Sequence, residues 1–420
     1  MKRFLLILFL VAMAASCGQQ TYDVLPDNID DNLYRFSVNT SPYEFFNTLE
    51  TPVPAGYKPF YISHYGRHGA RSDWGFGYKP VIDLFTKAQE AGVLTEEGEK
   101  ALAQMQTIYD LHDNMNGRLT PRGAREHRQI AHRMYTKYKD VFRSSDRHIR
   151  AVSSMSPRCI VSMAAFTGEL LSLDPKLDVS WDTGEQFMKY LSSEDPADMQ
   201  REAYRLITEY AAEYHADTVS FARRVFTDEA AGREAVGGSV ERLMSGILQF
   251  AAISGSFDQD RTLIDLYNEE DLKHYMRTIS LNLFLRQCNS AEFGDTRMAV
   301  PEVGALVKDF VEKADAAVAG NKVAADLRFS HDVGLMPFFS LIGLQGYDTR
   351  LRFEEVCDHW NATYMMPMAA NLQLVFYRGR RGDVLVKVLF NEGESSIPAL
   401  GPGPYYSWDA LRDYLLSLIN

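Results

Sequence analysis

At 420 residues, with 46% hydrophobic and 24% charged side chains, the chain has ordinary globular composition and material for two or three structural units. Its 44 Lys and Arg against 56 Asp and Glu leave a net charge of −12, which argues against a nucleic-acid-binding surface and leaves room for a locally positive cleft. Four cysteines, no two at metal-ligand spacing, exclude a disulfide scaffold.

"MKRFLLILFLVAMAAS" joins basic Lys2 and Arg3 to an apolar run and then to small residues, the layout of a signal peptide over residues 1–16. The apolar run is too short for a stable membrane span. The small residues lead to Cys17 as in a bacterial lipobox, with Ala14 where Leu is usual. Cys17 is thus expected to be lipidated and to tether an exported cell-envelope protein, its only membrane contact. Residues 17–50, with "LPDNIDDN", read as tether and lead-in. "YKPFYIS" (57–63) is a buried strand. "KPVIDLFTKAQEAG" is a helix with Val81, Leu84, Phe85 and Ala88 on one face, ending at Gly92. "LTPRGAREHRQIAHRMYTKY" (119–138) is a second helix, N-capped by Thr120 with Pro121 in its first turn. "RHIRAVSS" (147–154) is a strand and "SPRCIVSMAAFTGELL" (156–171) a helix. Residues 175–300 carry helical periodicity and no comparable strand. "AADLRFS" (324–330) is a strand, "DVGLMPFFSLIGL" (332–344) a helix, and 371–393 a hairpin about Gly379 and Gly382. These elements predict an α/β fold: a mixed, mostly parallel sheet flanked by helices, formed by 51–174 and 301–420, with an inserted all-helical cap over 175–300.

Three places could carry chemistry. Arg67, His68 and Arg71 crowd the end of the first strand. Guanidinium forks match phosphate oxygens, and a neutral imidazole among them could attack an electrophile whose oxygens they hold. His331 and Asp332 stand between a strand and a helix, where α/β folds place ligands, although Asp332 could be only an N-cap. Arg158 lies in a first helical turn, opposed by the helix dipole unless an anion binds there. One sheet could bring all three to one rim, giving three arginines, two histidines and a carboxylic acid, with no metal or other cofactor required. His64 reads as structural, and His127 and His132 as surface residues. Trp74 and Phe76 could wall the pocket mouth, but read as buried packing residues.

With "RHGAR" at 67–71 and "HD" at 331–332, the sequence resembles the histidine acid phosphatases, branch two of the histidine phosphatase superfamily. "LTPRGAREHRQIAHRMYTKY", "AVSSMSPRCIVSMAAFTGEL", "FSHDVGLMPFFSLIGL" and the closing hairpin resemble family segments across about 57–171 and 324–400. The resemblance implies His68 as a nucleophile forming a phosphohistidine and Asp332 as the donor of a proton to the leaving alcohol. It implies Arg67, Arg71, Arg158 and His331 as ligands of the phosphoryl group. It further implies a small-molecule phosphate monoester as partner, hydrolysed at acidic pH. The chain departs from the family at Asp73, where many members carry proline, and at "SMS" (154–156). Phosphatases of inositol polyphosphates often replace H-D with another acidic tripeptide, yet "VLFNEGE" is similar to that subgroup. Phytate and general phosphomonoesters both remain open as substrates, and Lys79, Arg122, Arg125 and Lys189 are candidate rim cations for phytate. A mutase-like branch-one enzyme usually lacks the second arginine and the late H-D. An envelope lipoprotein that binds phosphorylated ligands without turnover is the non-enzymatic alternative.

Overall fold

The computed structural model describes residues 37–45, 50–73, 78–144, 147–192, 197–260, 262–293 and 301–419. The leader, Cys17, Trp74 and Phe76 lie outside the described residues. Among those described, no helix is long and apolar enough to cross a membrane.

One sheet organises the chain. Its strands are β1 (Lys58–Arg67), β2 (His148–Ser153), β3 (Asp178–Thr183), β4 (Val323–Ser330), β5 (Asn371–Arg378), β6 (Val384–Phe390), β7 (Gly393–Glu394) and β8 (Tyr405–Ser407). They run in the order β3-β2-β4-β1-β5-β6-β7, with β8 beside β6. The first four are mutually parallel, and β5 and β6 close the sheet as an antiparallel hairpin. The mixed, mostly parallel sheet is the one the sequence predicts. β4 is buried along its whole length and β1 from Tyr61 onward, as strands covered on both faces must be.

Register decides where the chemistry sits. Arg67 pairs with Ser330, and Phe329 pairs with Ser153, so β1, β4 and β2 end level with one another. That carboxyl edge is where open α/β sheets hold ligands. Helix Pro157–Leu173 leaves it from β2, and helix Asp332–Leu341 leaves it from β4.

Each face of the sheet has its own apolar cluster. Ile62, Phe329 and Leu327 pack with Met134, Phe166 and Leu170 of helices Pro121–Lys137 and Pro157–Leu173. On the other face Tyr65, Phe310 and Phe338 begin a cluster that continues into Leu243, Ile247 and Phe250 of helix Val240–Ser254. Val81 and Phe85 of helix Tyr78–Glu90 belong to that cluster too.

Three features differ from the sequence reading. Asp178–Thr183, in the segment read as all-helical, is the outermost parallel strand of the sheet. Val179 and Trp181 alternate with Asp178, Ser180 and Asp182, but the run is short and, as a sheet edge, almost wholly exposed, so its period-2 signal is weak among the helical patterns around it. β1 extends to Arg67, because the polar stretch after Ser63 is buried by the structure around it. Ser37, Val38, Ser41 and Tyr43, read as lead-in, are buried.

Candidate active site

The loop after β1 is fixed by backbone contacts on every side. The His68 N–H donates to Ser330 O at 2.9 Å, and the Gly69 N–H to Ser162 Oγ at 3.1 Å. Ala70 O accepts both the N–H and the hydroxyl of Thr120 at 2.9 and 3.0 Å. Thr120 also caps helix Pro121–Lys137, as the sequence predicts. A Cβ on Gly69 would lie 2.4 Å from Gly123 O, and one on Gly123 2.1 Å from Ala70 O. The glycines of "RHGAR" and "LTPRG" are therefore two halves of one backbone-to-backbone approach.

His68 is 1% exposed, and its Nδ1 lies 2.9 Å from Gly69 O. A carbonyl oxygen only accepts, so Nδ1 carries the proton and Nε2 keeps its lone pair. Burial, then the positive charge of Arg67, holds the imidazole well below its usual pKa and hence neutral. His331 stands beside it, ring centroids 5.4 Å apart. Its Nδ1 is 3.1 Å from Arg158 Nη2, a group that only donates, so His331 carries its proton on Nε2 and gives it to Ser154 Oγ at 3.0 Å. Burial, then Arg158, pushes His331 down to about 4.

Arg67 is fully buried. Its Nη1 donates to Asn39 O at 2.6 Å and Met366 O at 2.7 Å, and its Nη2 pairs with Asp332 Oδ2 at 2.7 Å. Asp332 Oδ1 accepts the Val333 N–H at 3.0 Å. Burial would raise the Asp332 carboxyl, but Arg67 and then Arg71 outweigh it and hold it at about 2. Asp332 is thus held as an anion. Arg71 donates to Ser72 O at 2.8 Å and stands 3.5 Å from Asp73. Among the described residues, the buried Nε donors of Arg67 and Arg158 have no partner. Three guanidinium groups, one carboxylate and two neutral imidazoles give a net charge of +2, suited to a dianion whose oxygens could satisfy those orphaned donors. Among the described residues, no group of three or more His, Cys, Asp or Glu is placed to hold a metal ion.

The six residues expected to converge do so. Sequence reasoning missed Ser154, Asn39 and Glu126, and it misplaced His127. Glu126 Oε2 accepts the Ala70 N–H at 2.7 Å and Oε1 the Tyr43 N–H at 3.0 Å, joining the loop to the lead-in. His127 is not a surface residue: it is 1% exposed against Phe166 and Phe329, and burial pushes it down to about 3. In an isolated helix its charged neighbours hide this. His132 is exposed, as read, and pairs with Glu169 at 2.9 Å. His64 is buried beside the same two phenylalanines, a structural place. Of the candidate rim cations, Arg122 and Arg125 are tied to Asp258, and Lys79 to Asp83.

Burial pushes Glu126 up to about 7, against its two backbone N–H bonds and Arg122. Its folded-state pKa lies above the ordinary 4.5, so its contribution to stability is complete below 4.5 and is lost as pH rises through 7. The loss amounts to on the order of 3 kcal/mol. Glu126→Gln is therefore expected to flatten the decline in denaturant-measured stability between pH 5 and 8. Parallel declines in the two proteins would remove this account of Glu126.

The sequence profile described as "Histidine phosphatase superfamily (branch 2)" matches residues 66–391, over half of the chain and both halves of the site. The chain belongs to this family. No curated protein sequence matches it. Among solved structures, this branch-2 histidine phosphatase is similar to the multiple inositol polyphosphate phosphatase of Bifidobacterium longum in complex with inositol hexasulfate. Identity there is 18%, the TM-score 0.66, and coverage 91% of this chain and 97% of that one. It is also similar to the D. castellii phytase, at 16% identity and a TM-score of 0.70, over 96% of this chain and 90% of that one. At such identities these likenesses establish a shared fold, an α/β sheet flanked by helices.

Proposed function

We propose that the protein hydrolyses phosphate monoesters through a covalent phosphohistidine on His68, with inositol polyphosphates as the substrate class. The observation that carries the chemistry is the His68 ring. Its Nδ1–H is held by Gly69 O, which leaves a neutral Nε2 lone pair among three guanidinium groups.

Arg67, Arg71, Arg158 and His331 hold the phosphoryl oxygens. Nε2 attacks phosphorus in line, the N–P bond forms as the P–O bond to the alcohol breaks, and Asp332 protonates the departing oxygen. Water then attacks phosphorus, Asp332 takes its proton, and phosphate leaves with His68 restored. Asp332 must begin as an acid, although Arg67 and Arg71 hold it as an anion. A phosphoryl group engaging Arg67 and Arg71 both draws away the cations that depress Asp332 and adds negative charge beside it. A phosphomonoester, with its second pKa near ~6, arrives as a proton-carrying monoanion at mildly acid pH. Both effects favour acidic operation.

Inositol polyphosphates are supported by the fold shared with the two neighbours and by the "VLFNEGE" ending. The leader and Cys17 fit an exported, lipid-anchored phosphatase. The test uses the chain beginning after Cys17, with chelator, at about pH 4–7, and follows phosphate release from phytate and from a simple aryl phosphate. Faster turnover of phytate is expected. Aryl phosphate turnover alone would leave a general phosphatase. Saturable binding without release from either would leave the non-catalytic binding protein.

A further inference from the structure

The lead-in segment delivers a side chain to the site. Val38 is fully buried at φ 48°, a left-handed conformation that a β-branched residue holds only where its surroundings enforce it. The segment is tied down immediately after this point. Thr40 Oγ1 donates to Ala252 O at 2.9 Å, the Met368 N–H to Ser41 O at 2.8 Å, and the Tyr43 N–H to Glu126. Just before these anchors, Asn39 meets the two charged partners at once. Its carbonyl accepts from Arg67 Nη1 at 2.6 Å, and its Nδ2 donates to Asp332 Oδ2 at 3.2 Å.

We propose that Asn39 is a positioning residue for Asp332, holding the carboxyl group on the leaving-group side of the pocket through both of its protonation states. The inference rests on the phosphohistidine reading above. Asp332 Oδ1 is occupied by the Val333 N–H, and Oδ2 is shared by Arg67 and Asn39. Arg67 is the partner that a bound phosphoryl group competes for. The Asn39 amide carries no charge and does not compete for phosphate as a cation would. It also has one donor end and one acceptor end. With Nδ2 toward Oδ2 it steadies the carboxylate; turned over, its Oδ1 accepts the proton of the neutral acid. A lysine or arginine in this place could serve only the carboxylate, and would oppose protonation.

The charged and titratable groups around Asp332 are Arg67 and Arg71 from β1 and its loop, Arg158 and Cys159 from helix Pro157–Leu173, and adjacent His331. All of them remain in an Asn39 variant. Removing Asn39 takes a donor from the charged form of Asp332 and an acceptor from the neutral one; the bond to the ionised form is the stronger, so the pKa rises and the alkaline limb of proton-dependent turnover moves to higher pH.

The experiment is rapid-quench phosphorylation of Asn39→Ala at saturating substrate, between pH 4 and 8, with an alkyl phosphate and with dinitrophenyl phosphate. Dinitrophenolate leaves without a proton, and an alkoxide does not. The expected result is roughly ten- to hundredfold slower phosphorylation by the alkyl ester, less than about threefold by the dinitrophenyl ester, and an upward shift of the alkaline limb. Asn39→Asp, nearly isosteric, covers the case in which alanine unfolds the segment. A second carboxylate beside Asp332 moves the limb further in the same direction. Equal slowing with both esters and an unmoved pH profile would overturn the inference. Absence of phosphohistidine in the unaltered protein, by contrast, overturns the functional reading beneath it.

Discussion

His68→Ala is expected to release no phosphate above background from any monoester, a loss of roughly 10⁴-fold or more in kcat. In the unaltered protein, quenching during turnover should trap phosphate on nitrogen, stable to alkali and labile to acid, at position 68. The variant should trap none. It should still bind inorganic phosphate, because Arg67, Arg71 and Arg158 take their places from other contacts: Arg67 from Asn39, Met366 and Asp332, and Arg158 from His331. The ring's own polar anchor is the Gly69 carbonyl, so alanine leaves the cradle standing. Retained binding with lost release separates an enzyme from a phospho-ligand carrier. Undiminished release in His68→Ala would sink the phosphohistidine mechanism.

The second large effect belongs to Asp332→Asn. An amide cannot give a proton to an alkoxide, so hydrolysis of alkyl phosphates is expected to fall roughly 10²–10⁴-fold. An activated aryl phosphate needs no proton for the first step, and its phosphorylation should change little. Hydrolysis of the phosphohistidine still needs a base, so the variant should give a stoichiometric burst of phenol and then stall with His68 modified. The pH profile should change with it. In the unaltered protein alkyl ester turnover is expected to decline as pH rises, because the acid form of Asp332 and the substrate monoanion are both lost. The residual rate of the variant should lack the part of that decline owed to Asp332. The variant also leaves fully buried Arg67 without its carboxylate, so folding is checked separately by thermal unfolding. A uniform loss with all leaving groups and no burst would place Asp332 outside proton transfer.

Much of the site was legible because its residues sit in strong local contexts. Arg67-His68 follows an aromatic strand, His331-Asp332 separates a buried strand from an apolar helix, and Arg158 opens a helix after a strand. Strand ends and helix starts are the features that periodicity and capping residues mark best. The edge strand Asp178–Thr183 was not read, since its alternation rests on Val179 and Trp181 alone and stands beside much longer helical patterns. Glu126 and His127 were not legible either: helix Pro121–Lys137 is rich in charge, and sequence does not tell which of its faces meets the loop after β1. Asn39 stood in a polar stretch with the composition of a tether.

The sequence by itself determined the order of the elements other than that edge strand, the cap at Thr120 with Pro121 in the first turn behind it, and the residue types of an anion cradle. Those are properties of short segments, governed by backbone chemistry and side-chain spacing. Tertiary structure alone decided protonation and partnership. Burial among guanidinium groups keeps His68 and His331 neutral, the Gly69 carbonyl selects the free nitrogen of His68, and Arg67 keeps Asp332 an anion. The register of β1, β4 and β2 brings these groups together from positions 67 to 332, and the lead-in closes over them at Asn39. Desolvation and Coulomb interaction act between groups near in space, so chain order carries no record of them.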